Sequence, residues 1–144
     1  MIYWLTGQPG AGKTTLATWI QSIFPNKSMI VDGDDLREIF INKDYSEEGR
    51  RKNIEKAQIL ANFLHHKGYT VIVSLVSPFR DQREKFKVEM GDDLVEIYVH
   101  TNDIRGREKF HVNYEEPLTF FIDCDTTDSS EYKTFLELRT KLKI

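Results

Sequence analysis

Short apolar runs alternate along this chain with longer stretches whose apolar residues recur at helical spacing. Ile2-Tyr3-Trp4-Leu5 reads as a buried strand. Thr15 to Phe24 follows, with Leu16, Ala17, Ile20 and Phe24 on one helical face. Ser28 to Val31 predicts a second strand, ending in Asp32-Gly33-Asp34, and Asp35 to Ile41 a short helix. Ser46 is placed to cap a long helix reaching about Lys67, with Ile54, Ala57, Leu60, Ala61 and Leu64 as its inner stripe. Gly68 stops that helix. Thr70 to Val76 is β-branched and apolar enough for a central strand. Asp81 to Met90 predicts a charged helix, Gly91-Asp92-Asp93 a turn, and Leu94 to Val99 the next strand. Residues 101–117 have no clear period. Thr119 to Ile122 reads as a fifth strand, and Ser129 or Ser130 caps a last helix over Glu131 to Leu142.

Strands separated by helices pair in parallel through right-handed crossovers, and such sheets bind ligands at the carboxyl ends of their strands. The rule gathers four segments into one expected crevice: residues 7–14, Asp32 to Arg37, Ser74 to Arg83, and the segment after Val99. The first of these carries the strongest chemical signal. Gly7-Gln8-Pro9-Gly10-Ala11-Gly12-Lys13-Thr14 is a G-x-x-x-x-G-K-S/T loop, set between a strand and a helix as the motif requires. At average residue usage the pattern arises by accident in roughly one chain in 200 of this length, and the context makes accident rarer still. Glycines let several N–H groups converge on an anion, and the helix N-terminus adds positive potential. Lys13 is expected at the outer phosphates of a nucleotide, with the Thr14 hydroxyl placed for Mg²⁺ and Thr15 beside it.

Composition narrows the picture without redirecting it. With 144 residues and a net charge of -3, the chain is read as one domain, 1–144, able to bury a proper core. Its charges are mixed, which argues against a broad nucleic-acid or anionic-membrane surface. Cys124, the one cysteine, excludes an intramolecular disulfide and fits a reducing cytoplasm. No apolar run reaches membrane-spanning length, and the first strand starts too early for a signal peptide.

Other candidates weigh differently. Asp32, Asp34 and Asp35 repel one another unless a cation such as a Mg-nucleotide lies near; there they would hold metal-bound water or take a proton from an attacking hydroxyl. They equally suit a turn with helix caps, Asp35 being the first choice of cap. Arg37 and Arg50 are assigned to the site and Arg51 to an ordinary solvated face. Pro78 turns the chain out of the sheet, so Ser77 is expected to present its hydroxyl at the crevice. Arg105-Gly106-Arg107-Glu108-Lys109-Phe110 suits a cationic cover, and Phe110 and Tyr114 either core packing or stacking on a base. The four histidines show no metal-ligand spacing, Cys124 reads as a small apolar filler, and Trp4 and Trp19 as core aromatics.

Taken together these residues resemble the adenylylsulfate kinase family. GQPGAGKTTLA is similar to that family's G-x-S/P-G-A-G-K-S/T-T-L/I-A, and Asp32 to Arg37 to its D-G-D-N-L/V-R. Tyr45-Ser46 with Arg50 and Asn53 resembles F-S-x-x-D-R-x-x-N, and Val76-Ser77-Pro78-Phe79-Arg80 resembles I-S-P-Y/F-R. Glu96 to Val99 is similar to E-V-Y/F-V, and Phe110 with Tyr114-Glu115-x-Pro117 to F-T-G…Y-E-x-P. The resemblance implies a three-layer α/β P-loop kinase with a five-stranded parallel sheet in the order 2-3-1-4-5. It implies ATP and Mg²⁺, and phosphorylation of the 3′-hydroxyl of adenosine 5′-phosphosulfate to 3′-phosphoadenosine 5′-phosphosulfate. Under it, Gly7 to Thr15 bind the nucleotide, and Thr14 and Asp34 serve the metal. Lys13, Asp34 and Ser77 are catalytic; Asp32, Asp34, Arg37, Tyr45, Arg50, Asn53, Val76, Ser77 and Phe110 hold substrate.

The departures are specific. Asp35, Gly49 and His111-Val112 replace the family's Asn, Asp and Thr-Gly, and the R-D-x-K-G-L-Y-x-x-A-R lid is largely deleted between Thr101 and Phe110, which leaves 101–117 as a shortened lid and substrate loop. Arg105, Arg107 and Lys109 are the cations available to replace it. Two alternatives stay open at this point: a kinase for another small hydroxyl compound, with a nucleic-acid 5′-end disfavoured by charge, or a nucleotide-binding module without turnover. Oligomeric state is also open, a homodimer being one arrangement compatible with the chain.

Overall fold

The computed structural model describes residues 1–144. Five short strands form one parallel sheet: β1 (Ile2–Thr6), β2 (Ser28–Asp32), β3 (Thr70–Ser74), β4 (Leu94–His100) and β5 (Ile122–Asp125), in the order β2-β3-β1-β4-β5. The order is the expected one. β1 lies at the centre, with Ile2 opposite Val71 on β3 and Leu94 on β4. All five of its residues are buried, as an apolar strand covered on both faces requires.

The alternation of β1 divides its side chains between two cores. Tyr3 and Leu5 face α1 (Lys13–Ile23) and α5 (Glu131–Leu142), packing with Leu16, Ile20, Phe135 and Leu138. Ile2 and Trp4 face α2 (Gly33–Ile39), α3 (Glu47–His66) and α4 (Arg80–Met90), packing with Leu36, Ile54, Ala57, Ala61 and Phe86. Ser46 caps α3 by accepting from the Gly49 N–H, as its position predicts. Ile54, Ala57 and Ala61 of the expected inner stripe are buried, and Leu60 and Leu64 pack at the margin. Cys124 lies in the first core as apolar filler, and burial pushes its thiol up to about 11.

Several boundaries differ from expectation: β3 ends at Ser74 and not Val76, α2 spans Gly33–Ile39 and not Asp35–Ile41, and three others have a clear cause. The first helix starts at Lys13, two residues early, because left-handed Gly12 sits at its N-cap. The second is capped by Asp32 and not Asp35: Asp32 Oδ1 accepts from the N–H groups of Asp34 and Asp35 at 2.9 and 3.3 Å. The fifth strand runs over Ile122–Asp125 and not 119–122. Phe120 has a left-handed φ of 51° and is 93 % exposed, so the apolar run before Ile122 lies outside the sheet.

The charged helix α4 also hides its charge. Arg83 and Glu96 are 3 % and 2 % exposed, paired at 2.8 Å, and Lys87 joins Glu96 from the margin. Arg83 further donates to the carbonyls of Ser77 and Glu115, tying two loops to the sheet. Removing one partner of such a pair strands the other charge. Glu96→Ala is therefore expected to lower stability by about 3–5 kcal/mol, read by urea denaturation; a loss no larger than that of a surface glutamate would contradict the buried pairing.

Candidate functional site

The loop from Gly7 to Lys13 leaves β1 and bends sharply into α1. Gly10 and Gly12 have φ of 82° and 112°, conformations in which a side chain is strained, so the tight curl needs glycine there. Ala11 closes the inner turn by donating its N–H to the Gln8 carbonyl. Lys13 folds back along the loop, and its ammonium donates to the carbonyls of Gly7 and Gln8, each at 2.9 Å. Burial lowers the pKa of Lys13 to about 8; the Asp32 charge opposes that shift and Arg107 adds to it. The Lys13 ammonium is thus a poorly solvated cation with two carboxylates nearby.

Two cavities flank this lysine. The first, of ≈ 310 Å³, is bordered by Gly12, Lys13, Thr14, Thr15, Arg105 and Thr126. The second, of ≈ 440 Å³, is bordered by all nine residues expected to hold substrate: Asp32, Asp34, Arg37, Tyr45, Arg50, Asn53, Val76, Ser77 and Phe110. Gly10, Lys13, Thr14 and Arg107 border both, so they form a common wall. A group passing from one cavity to the other crosses the phosphate-binding loop Gly7 to Thr14, the Walker loop, at Lys13.

The second cavity has its own electrostatic order. Arg37 donates to the carbonyls of Asn42 and Asp44, and its guanidinium lies 4.0 Å from the centre of the Tyr45 ring. Arg50 Nε donates to the Tyr45 carbonyl at 2.7 Å. Both arginines are oriented by neutral partners, which leaves their charge for an anion. Asn53 is 4 % exposed, and its Oδ1 is a buried acceptor with no partner in the protein. Such an atom is costly unless a ligand donates to it. Phe110 borders the cavity while 51 % exposed, with Arg107 and Lys109 over its ring.

Several expectations are redrawn. Ser77 has a left-handed φ of 49° and is 1 % exposed. Its hydroxyl accepts from the Trp4 indole at 3.1 Å, so it is engaged toward the sheet and does not stand free at the crevice. Tyr114 packs inward: its hydroxyl pairs with Thr6 at 2.7 Å and its ring stacks on Tyr98. Gly7, Gln8 and Ala11 border neither cavity. Gly7 passes against β4, Ala11 is buried, and the Gln8 side chain turns toward Val112. Arg51 pairs with Glu47 and Asp81, the surface role read for it. Thr126 was missed as a site residue. The crevice rule would have found it just beyond the end of β5, had that strand been placed correctly.

The donors also bear on Mg²⁺. No cluster of three or more His, Cys, Asp or Glu side chains is arranged for a metal. One hydroxyl, Thr14, on the common wall and one carboxylate, Asp34, bordering the same second cavity suit a cation that keeps several waters and takes the rest of its ligands from phosphates. The residues present therefore fit a magnesium-nucleotide.

Residues 1–112 match the adenylylsulphate kinase family. The chain belongs to that family. It is 38 % identical over 105 residues to an adenylyl-sulfate kinase of Pseudomonas aeruginosa, covering 69 % of this chain and 54 % of that protein. A probable adenylyl-sulfate kinase of Pyrococcus abyssi is 33 % identical over 137 residues, covering 79 % of this chain and 78 % of the relative. The chain spans about half the length of the first curated relatives it matches. In structure it is similar to the Mycobacterium tuberculosis APS kinase in complex with AMPPNP and APS, with a TM-score of 0.83, 22 % identity and coverage of 99 % of this chain and 97 % of that one. At that identity the likeness concerns the fold, which is that of an APS kinase throughout.

An anion beside a lysine titrating at about 8 favours its charged form. The complex then holds more protons than the free protein, so binding weakens as pH rises. Nucleotide binding is expected to take up protons between about pH 7.5 and 9, measured by calorimetry in buffers of different ionisation heat, and Lys13→Met to abolish the uptake. Proton release by the wild-type chain would contradict this.

Proposed function

We propose that this chain is an ATP-dependent kinase that phosphorylates the 3′-hydroxyl of adenosine 5′-phosphosulfate, giving 3′-phosphoadenosine 5′-phosphosulfate. The observation that carries the reading is the pair of cavities meeting at Lys13, the second holding two arginines, an unpartnered buried acceptor and an exposed aromatic ring. That set matches an acceptor that is anionic at one end and a nucleoside at the other. ATP occupies the first cavity with its terminal phosphate at the common wall, and the acceptor occupies the second.

Each residue then has a defined task. Arg37 and Arg50 hold the phosphosulfate, Phe110 stacks on the adenine, and Asn53 Oδ1 accepts from the acceptor nucleoside. Asp32 caps α2 and so orients Asp34 at the cavity edge. The acceptor oxygen forms a bond to the terminal phosphorus of ATP while the bond to the bridging oxygen breaks. The hydroxyl proton passes to Asp34, and ADP leaves. Lys13 offsets charge on the transferring group, a purely electrostatic contribution worth orders of magnitude in such reactions. Thr14 and Asp34 would hold Mg²⁺, which supplies further charge neutralisation across the phosphates. Ser77 contributes as part of the cavity wall. No helix is long and apolar enough to cross a membrane; a cytoplasmic location and a homodimer complete the proposal, the latter read by light scattering.

Purified protein given ATP and adenosine 5′-phosphosulfate is expected to form a doubly phosphorylated nucleotide, identified by mass. Arg50→Ala should raise KM for the acceptor on the order of tenfold, the scale of a lost charge-assisted hydrogen bond, with ATP affinity unchanged. No product from a chain that still binds ATP would overturn the acceptor assignment.

A further inference from the structure

Residues 101–117 are fastened to the Walker loop at two points. On the leading side, Arg105 Nη1 donates to the carbonyls of Gly10 and Ala11, both at 3.2 Å, and Nη2 to the Thr126 carbonyl at 2.9 Å. Asp103 pairs with the same guanidinium at 3.2 Å. On the trailing side, the Gln8 carboxamide donates to the Val112 carbonyl at 2.7 Å and accepts from the Val112 N–H at 3.0 Å. One side chain thus serves both polar groups of one residue, as a neighbouring strand would. Gln8 stands at an unspecified position of the phosphate-loop motif, so the motif does not explain it.

Between the two fastenings lies the stretch 106–111. Arg107 is held close to the loop: a Cβ built on Gly10 would lie 3.0 Å from that of Arg107. Its guanidinium has no carboxylate partner and lies 5.1 Å from the centre of the Phe110 ring, and the residue borders both cavities. Arg105 differs, its charge being taken up by three carbonyls and Asp103. Two cations, Lys13 and Arg107, therefore share one wall without a carboxylate ion-paired to either. Such an arrangement is costly alone and is stabilised by an anion between them.

We infer that Gln8 and Arg105 are positioning residues that hold this short segment closed over the Walker loop, and that Arg107 is the cation so delivered to the phosphoryl group in transit. This rests on the reading of the two cavities as donor and acceptor sites. A segment tied at both ends needs little ordering when ligands arrive, so its cation is in place beforehand. The shortening of the lid is then matched by its attachment.

The test needs no acceptor. Titrations with Mg-ADP and Mg-AMPPNP compare binding without and with a third phosphate. Arg107→Ala is expected to weaken AMPPNP about tenfold more than ADP, and Arg107→Lys to recover part of the loss. Gln8→Ala should produce the same selective loss, smaller in size, and add nothing in the Arg107→Ala background. Equal weakening of both nucleotides by Arg107→Ala overturns the assignment of Arg107. Additive effects of the two changes overturn the positioning role of Gln8. Where transfer is observed, Arg107→Ala should lower kcat about a hundredfold. If the nucleotide selectivities hold while adenosine 5′-phosphosulfate is not phosphorylated, the acceptor assignment fails and the fastened lid stands.

Discussion

The architecture of the site depends on how closely the phosphate loop passes the end of β4. A Cβ built at Gly7 would lie 2.0 Å from the Val99 carbonyl oxygen, so only glycine permits that passage. The contact joins the ends of the two neighbouring strands β1 and β4. From the end of β4 the chain runs into residues 101–117, and from β1 into the Walker loop. Their proximity is what allows Arg105 and Gln8 to connect the two. The ends of β2 and β3 complete the other side, carrying Asp32 and the Ser77 turn. Parallel pairing makes this possible, because it brings all the strand ends to one edge of the sheet.

Electrostatic order is built around Lys13 on the same plan. The loop carbonyls of Gly7 and Gln8 orient the ammonium, burial weakens its hold on the proton, and Asp32 and Asp34 partly restore it. Asp32 acts twice, as helix cap and as countercharge. Beneath the second cavity, Arg83 connects Glu96 of the sheet to the carbonyls of Ser77 and Glu115. The turn at Ser77 and the segment around Glu115 therefore share a buried anchor. Such an anchor keeps two irregular segments in register where no strand pairing can do so.

Legibility from the sequence followed the reach of the signals. The Walker loop was readable because its spacing encodes a backbone shape, and the helices because their apolar faces repeat. The nine residues expected to hold substrate were picked out by strand ends and short motifs, and all nine border one cavity. The fifth strand was misplaced because Thr119 to Ile122 reads as a strand by composition, whereas pairing with β4 sets Cys124 opposite Val99. The orientation of Ser77 was misjudged because the indole that engages it comes from Trp4, 73 residues earlier in the chain.

The sequence by itself determined the fold class and the phosphate loop, through local periodicity and fixed spacing, and the family and strand order through the resemblance its motifs carry. It also placed three cations within residues 101–117 and left their roles equivalent. Only the tertiary structure separated them. Arg105 is consumed by carbonyls of the Walker loop and of Thr126; Arg107 and Lys109 both lie over Phe110, but of these two only Arg107 borders the cavities. The physical reason is that a guanidinium's task is set by the oxygens within its reach. Here those oxygens belong to residues about twenty to ninety-five positions away, which folding alone brings together.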